Sequence, residues 1–499
     1  MHLSYPVAGA KIIDYPVYLP EELVQLIAES LSVEDFVSTS LVSKEAHETF
    51  EKFHMLRQKH EAVARSVVNH VLDSQAHCLI TGPAGTGKTY ALRLLYERAV
   101  KEKKKIYMTA LTALAASNLP DGMTLHSCLN IPVGDRNRRV SKAALDADII
   151  VIDEVSMLSA QLLEAIDIYI SGDRHRTDTM GGVQLVFCGD FYQLQPVSGR
   201  PCTQSRLWKA LRVHTLHMGC PVRQAKDMNW FHALNHIRCG IPPKYYLELL
   251  LRRYSPFNIQ KHIDGKYGPL LVATNKKRDE YNQKCLAARE EDIEEFSASD
   301  SLYKKTEGGK QTLLGGRIGT SIGNTGYMSS AGLIQLLDRG AKGSRLPETL
   351  KLQQGAMYTH LVNDGALYNG STLIYEGNQL GGECFRDVNT NDLHIIEKCS
   401  VETQLSETVT FVREQFPVDL GYALTFHRSQ GMTLEKAAID TRGIFTQGQL
   451  YSGLSRIRTL KGLTLVGFES KAFRKNPQAD TVYEKLRKQE LCSLFIDCK

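Results

Sequence analysis

The sequence predicts an α/β fold, and three apolar runs with polar ends predict it. Residues 78–80 are Cys-Leu-Ile, followed by Thr81-Gly-Pro-Ala-Gly-Thr-Gly-Lys-Thr89. That stretch fits the G-x-x-x-x-G-K-[ST] phosphate loop from Gly82 to Thr89 without a gap. Residues 147–152 form a second run, which ends in Asp153-Glu154. Residues 183–188 form a third, which leads into Gly189-Asp190-Phe-Tyr-Gln193. Strands buried on both faces of a parallel sheet read as continuous apolar runs of this kind. Three of them, each delivering polar groups at its carboxyl end, describe a RecA-like core with its ligand in the crevice beyond those ends.

The loop's spelling follows from its chemistry. A triphosphate is wrapped by backbone N–H groups, so Gly82, Gly85 and Gly87 stand where the chain curls against the anion, with Pro83, Ala84 and Thr86 between them. Lys88 is expected to reach the β- and γ-phosphates, and the Thr89 hydroxyl to hold Mg²⁺. Residues 90–100 read as a helix with Leu92, Leu95 and Ala99 on one face. Its positive end then meets the phosphates. Asp153 is placed to bind Mg²⁺ through water, and Glu154 to orient and deprotonate the attacking water. The Gln193 amide can sense the γ-phosphate without adding charge.

Length and composition set the frame. The 499 residues suffice for three or four domains. The chain is 42% hydrophobic and 23% charged, with no apolar run near the ~18 residues of a membrane span. A net charge of +5 permits nucleic-acid binding without arguing for it. Eleven cysteines, an odd number with no C-x-x-C pair, argue against a disulfide framework or a zinc site. They suit an intracellular reducing compartment, and a nuclear location is expected. Residues 1–20 lack the pattern of a signal or transit peptide.

Residues 19–50 read as two or three short helices, with Leu23, Leu26 and Ile27 sharing a face. The order Leu-Pro-x-Glu-Leu, Leu-Ser-x-x-Asp-Phe, Leu-Val-Ser-Lys resembles an F-box, which implies docking of a Skp-type adaptor. A plain helical cap satisfies the same apolar pattern. Residues 53–71 are helical, 106–108 a strand, and 122–127 open another helix. Arg136, Arg138 and Arg139 lie in a loop. Residues 270–274 read as a strand, 291–345 as glycine-rich loops, and 350–370 as strands of a small β-rich module with a turn at Asn369-Gly370. A strand at 463–466 and a helical, mixed-charge tail at 471–499 complete the chain.

The full ordered set of motifs is similar to superfamily-one helicases of the RecD-like branch, and most closely to the petite-integration-frequency (PIF) family. It comprises the phosphate loop, Thr-Leu-His126-Ser, Ile-Asp153-Glu154-Val-Ser-Met-Leu, and Gly181-Gly-Val-Gln-Leu-Val-Phe-Cys-Gly-Asp-Phe-Tyr-Gln193-Leu-Gln-Pro-Val. Arg223-Gln, Ala-Thr-Asn275, His427-Arg-Ser429-Gln430-Gly and Leu-Ser-Arg456 follow. The resemblance runs from about Leu56 to Phe468. It implies an ATP-dependent DNA helicase that uses Mg²⁺, moves 5′ to 3′ on single-stranded DNA and unwinds duplex and forked DNA in repair, recombination or genome maintenance. It also implies two RecA-like domains with a small β-barrel inserted in the second. The expected division is 1–52 for the F-box-like segment, 53–215 for the first domain, 216–299 and 401–499 for the second, and 300–400 for the insertion. Arg223 and Arg456 match arginine fingers entering from the second domain. Thr112, His126, Asn275, His427 and Ser429 match positions along the DNA track, where contacts to phosphate and sugar suit a sequence-blind motor.

Three departures stand out. The family's Leu-x-x-x-Gln upstream of the loop, whose glutamine reads adenine, is here Leu56-Arg-Gln58-Lys-His60, so His60 takes the nucleotide-facing place. Arg428 stands where a lysine is usual, and Ser452-Gly453 where Val-Ala is usual. Two rival readings remain: a ubiquitin-ligase substrate receptor whose helicase body only holds DNA, and an RNA-dependent motor.

Overall fold

The structure is a computed structural model. It describes residues 44–488 and 494–496, apart from 113–114, 117, 132–140, 197, 241, 306–310, 345, 363–366, 368–369, 380, 389 and 406–408. The F-box-like segment lies outside the described residues up to position 43, and so do Arg136, Arg138 and Arg139.

Helix α1 (Lys44–Ser74) leads into β1 (Cys78–Thr81), and the phosphate loop joins β1 to α2 (Lys88–Lys101). β2 (Ile106–Ala110), β3 (Met123–Thr124), α3 (Leu125–Cys128), α4 (Lys142–Asp146) and β4 (Ile149–Asp153) follow. Next come α5 (Ala160–Arg174), β5 (Gln184–Gly189), α6 (Arg206–Ala210) and β6 (His214–Met218). The strands form one sheet in the order β6-β1-β5-β4-β2-β3, with every pair parallel. β1, β4 and β5 are buried along their whole length, as their unbroken apolar spelling requires. Val63, Val67 and Val71 of α1 pack with Leu92 and Leu95 of α2 on one face. The sheet reaches beyond residue 215, because β6 pairs with β1 from His214 to His217.

The second domain opens with α7 (Met228–Arg238), α8 (Lys244–Leu251), α9 (Ile259–Ile263), β7 (Leu270–Val272) and α10 (Asn275–Ala287). A long β-rich excursion intervenes before its sheet is completed. It comprises β8 (Ile293–Ser297), β9 (Ser299–Lys305), β10 (Gln311–Ile318), β11 (Ser321–Asn324), α11 (Ser330–Gly343), β12 (Thr349–Gln353) and β13 (Met357–His360). β14 (Thr372–Gln379), β15 (Gly382–Asp387), β16 (Leu393–Ile396), β17 (Cys399–Gln404), β18 (Val409–Gln415) and β19 (Val418–Leu420) complete it. The excursion holds two five-stranded antiparallel sheets, β11-β10-β9-β18-β17 and β16-β15-β14-β13-β19, and the ribbon β8-β12. Residues 291–345 are therefore not loops. They supply four strands and α11, whose Leu333 and Leu337 pack on Leu302, Leu314 and Phe411.

The chain then returns to β20 (Ala423–Thr425), β21 (Ala437–Asp440), α12 (Gln449–Leu454) and β22 (Leu463–Gly467), giving a parallel sheet in the order β20-β7-β21-β22. One apolar core runs from Leu163 and Trp208 of the first domain to Leu271 and Leu463 of the second. The tail is not one helix. α13 (Pro477–Lys488) ends before β23 (Leu494–Ile496), which pairs with β6 and adds a seventh strand to the first sheet. α13 also docks on the first domain, where the Tyr483 hydroxyl lies 2.8 Å from Thr81 Oγ1 and 3.0 Å from Asp190 Oδ1. Among the described residues eight cysteines are free. No described helix is long and apolar enough to cross a membrane.

Candidate nucleotide cleft

The phosphate loop adopts the backbone that its glycines permit. Gly85 and Gly87 have φ of 78° and 80°, where a side chain is strained. A Cβ on Gly82 would come within 2.0 Å of the Met218 carbonyl oxygen. Lys88 begins α2, and its ammonium donates to the carbonyls of Gly82 at 2.9 Å and Pro83 at 2.8 Å. The loop is held from outside as well. Ala84 N–H donates to the Tyr451 hydroxyl at 2.8 Å, and the Gly85 carbonyl accepts from Val222 and Arg223 N–H.

Around the loop lies a cleft of about 770 Å³, in the range of small-molecule sites. From the first domain it is lined by Ala84, Gly85, Gly87, Lys88, Thr89, Asp153, Glu154 and Gln193. The connection after β6 brings Arg223, and from the far side come Gly431, Arg456 and Arg458. All six residues expected to carry the chemistry thus face one space. Arg456 Nη2 donates to Gln193 Oε1 at 2.6 Å across the domains, and its Nε to the Ser452 carbonyl at 2.8 Å. Arg223 enters differently than expected. It stands on the connection just after β6, bonded through its own N–H to the loop, and its Nη1 donates to the Ser455 carbonyl at 2.9 Å. Burial, and Arg456 beside it, lower its pKa to about 9, so it stays charged at neutral pH.

Asp153 and Glu154 form the acidic floor. Burial first, then the neighbouring Glu154 charge, push the Asp153 carboxyl up to about 7. Its Oδ1 accepts from Glu154 N–H at 2.8 Å. Glu154 has φ 56° and directs its carboxylate across the cleft, where Oε2 accepts from Gln430 Nε2 at 2.8 Å. The Thr89 hydroxyl and a buried carboxylate kept uncomfortable by a second one fit Mg²⁺, which takes one or two protein oxygens and completes its shell with phosphates and water. No group of three His, Cys, Asp or Glu able to hold a metal unaided occurs among the described residues.

His60, on α1, lies beside Gly87, where an added Cβ would come within 1.9 Å of Nε2. Its ring is 5.3 Å from that of Tyr90. It therefore packs on the loop at the mouth of α2. Burial lowers its pKa, which keeps the imidazole neutral.

The residues assigned to a nucleic-acid track divide. Thr112 follows β2, His126 follows β3, Asn275 follows β7 and His427 follows β20, so all four sit past the carboxyl ends of strands. Asn275 is exposed and the other three are half-buried. Ser429 does not belong with them. It is fully buried, and its hydroxyl donates to the Phe426 carbonyl at 2.9 Å, closing the turn.

Several residues that brace the cleft were not singled out by sequence reasoning. Asp190 is buried and bound bidentately by Arg238, both contacts 2.8 Å, while the Tyr451 and Tyr483 hydroxyls also reach it. The Arg238 guanidinium lies 4.3 Å from the Tyr192 ring centroid. The only signal was that Asp190 and Gln430 stand inside motifs whose other members were assigned.

Fold and cleft define a phosphate-loop nucleotide-binding protein in which two parallel-sheet domains share the site. The profile of the PIF1-like helicase family matches residues 55–237, the first domain and the start of the second. The chain is 28% identical over 455 residues to the human ATP-dependent DNA helicase PIF1, covering 86% of this chain and 64% of that protein. It is 26% identical over 454 residues to the zebrafish (Danio rerio) protein of the same name, covering 87% and 65%. The chain thus spans under two thirds of the length of these curated relatives. The crystal structure of Pif1 helicase from Candida albicans superimposes with a TM-score of 0.70 at 25% identity, covering 85% of this chain and 98% of that one.

Proposed function

We propose that this protein is an ATP-dependent DNA helicase of the PIF1-like family that moves 5′ to 3′ along single-stranded DNA. One observation carries the reading: Lys88, Thr89, Asp153 and Glu154 of one domain face Arg456 of the other across a single cleft. A nucleotide bound there contacts both domains, so binding draws them together and hydrolysis lets them part. Lys88 and the loop's N–H groups would take the phosphates, Thr89 and Asp153 would hold Mg²⁺, and Glu154 would align water. Arg223 and Arg456 neutralise charge on the transferring phosphoryl group. The names of the relatives support DNA as the track, and 5′-to-3′ polarity rests on the family resemblance alone. The Skp-type adaptor reading of residues 19–50 rests on sequence alone and is tested by adaptor binding to the full chain.

The test is ATP hydrolysis with and without single-stranded DNA. Stimulation by DNA, absent in Lys88→Ala, is the expected result. Binding of DNA with no hydrolysis by the wild type would instead favour a receptor that only holds it.

A further inference from the structure

The turn that follows β20 has two faces and little internal freedom. Ser429 N–H donates to the Thr425 carbonyl, Gln430 N–H to the His427 carbonyl and Met432 N–H to the Ser429 carbonyl. Arg428 N–H donates to Thr425 Oγ1. A turn tied in this way moves as one piece. Outward it shows half-buried His427 and exposed Arg428, whose guanidinium rests 3.3 Å from Asp419 in an exposed pair that a phosphate can replace. Inward it shows Gln430, only 1% exposed, reaching Glu154.

The contact with Glu154 has a defined sense. A carboxylate only accepts, so the amide nitrogen of Gln430 faces it. The other amide atom, Oε1, is buried without a partner among the described residues. The amide nitrogen alone therefore ties Gln430 to Glu154. The bond to Oε2 fixes the direction of the carboxylate and draws charge from it, so Glu154 is held in one orientation while Gln430 keeps it. Glu154 cannot turn away by its backbone, which is pinned by the bond from its N–H to Asp153.

We propose that Gln430 is a positioning residue that restrains Glu154 until a nucleic-acid strand engages His427 and Arg428 and shifts the turn. This rests on Glu154 being the group that aligns water, and so deepens the function proposed above. It makes the turn the link between the DNA track and the hydrolytic site, which lie on its opposite faces.

The experiment measures ATP hydrolysis by the full chain with and without a saturating single-stranded oligonucleotide, in wild type, Gln430→Ala and Gln430→Met. The methionine keeps the side chain's length without a donor, and melting temperatures show that each variant is folded. The unstimulated kcat should rise about 5-fold or more, with KM for ATP little changed. The DNA-saturated rate should stay near wild type, so the stimulation ratio shrinks. Equal losses in both rates, with the ratio preserved, would overturn the proposal and leave Gln430 a packing residue. A wild type whose hydrolysis no strand stimulates would overturn the motor reading as well. A stimulated wild type with an intact ratio in folded variants overturns only the role of Gln430.

Discussion

Lys88 illustrates how the site is prepared at the residue scale. Its ammonium is desolvated, which lowers its pKa, and it is satisfied by two carbonyls of its own loop. A triphosphate offers stronger, charged acceptors to the same donors. Lys88→Ala should therefore lower ATP turnover by at least about 10²-fold, the scale for removing one such donor. Arg456 rests on Gln193, and under the proposed function it turns from there to a γ-phosphate. Arg456→Ala should cut kcat by about 10³-fold with a smaller effect on ATP affinity. Steady-state kinetics separate the cases, since a structural arginine would lower binding and leave turnover of the bound fraction intact. Most of this cleft was legible, because Gly82–Thr89 and Asp153-Glu154 declare themselves by local spacing. Gln430 and Glu154 are 276 residues apart, and Tyr483 and Asp190 293 apart, so no spacing could pair them.

Elements were legible where both faces are buried. β4 spells Ile-Ile-Val-Ile-Asp and is fully covered, so composition alone marks it. β11 spells Ser-Ile-Gly-Asn and is exposed throughout, so nothing in its composition distinguishes it from a loop. The sheet that contains it is anchored instead by a buried charge pair, Arg413 to Asp300, with contacts of 2.6 and 2.7 Å. Arg413→Met should destabilise the protein by about 3 kcal/mol in denaturant unfolding, because it strands a buried carboxylate. Arg317, 3.2 Å from Asp300, compensates only in part. The α9 histidine gives a pH signature. His262 donates its Nε2 hydrogen to the Tyr422 carbonyl, and burial lowers its pKa from 6.5 to about 4. The unfolded chain binds that proton first, so its stabilisation is complete above the unfolded pKa and is lost as pH falls from there towards 4. Between those limits the Tm of His262→Gln should fall less steeply with acid than that of wild type.

At the scale of the molecule, two parallel sheets share one cleft, and α13 with β23 ties the end of the described chain back to the first of them. The Tyr483 hydroxyl reaches Thr81 and Asp190, and Asp190 also holds Tyr451, which holds Ala84 of the phosphate loop. The phosphate loop is thus joined by hydrogen bonds to Tyr451 of the second domain and to α13, a continuity that the proposed motor would use. Direction of travel is set by which domain grips the strand in each state, and no single residue reports that. Strand displacement therefore decides whether the protein is a motor and which way it moves. Duplexes with a single-stranded tail on only the 5′ or only the 3′ side are given ATP and Mg²⁺, with Lys88→Ala beside wild type. Wild type alone should unwind the 5′-tailed duplex. Unwinding from 3′ tails would contradict the polarity, and DNA binding with neither unwinding nor stimulated hydrolysis would contradict the motor itself.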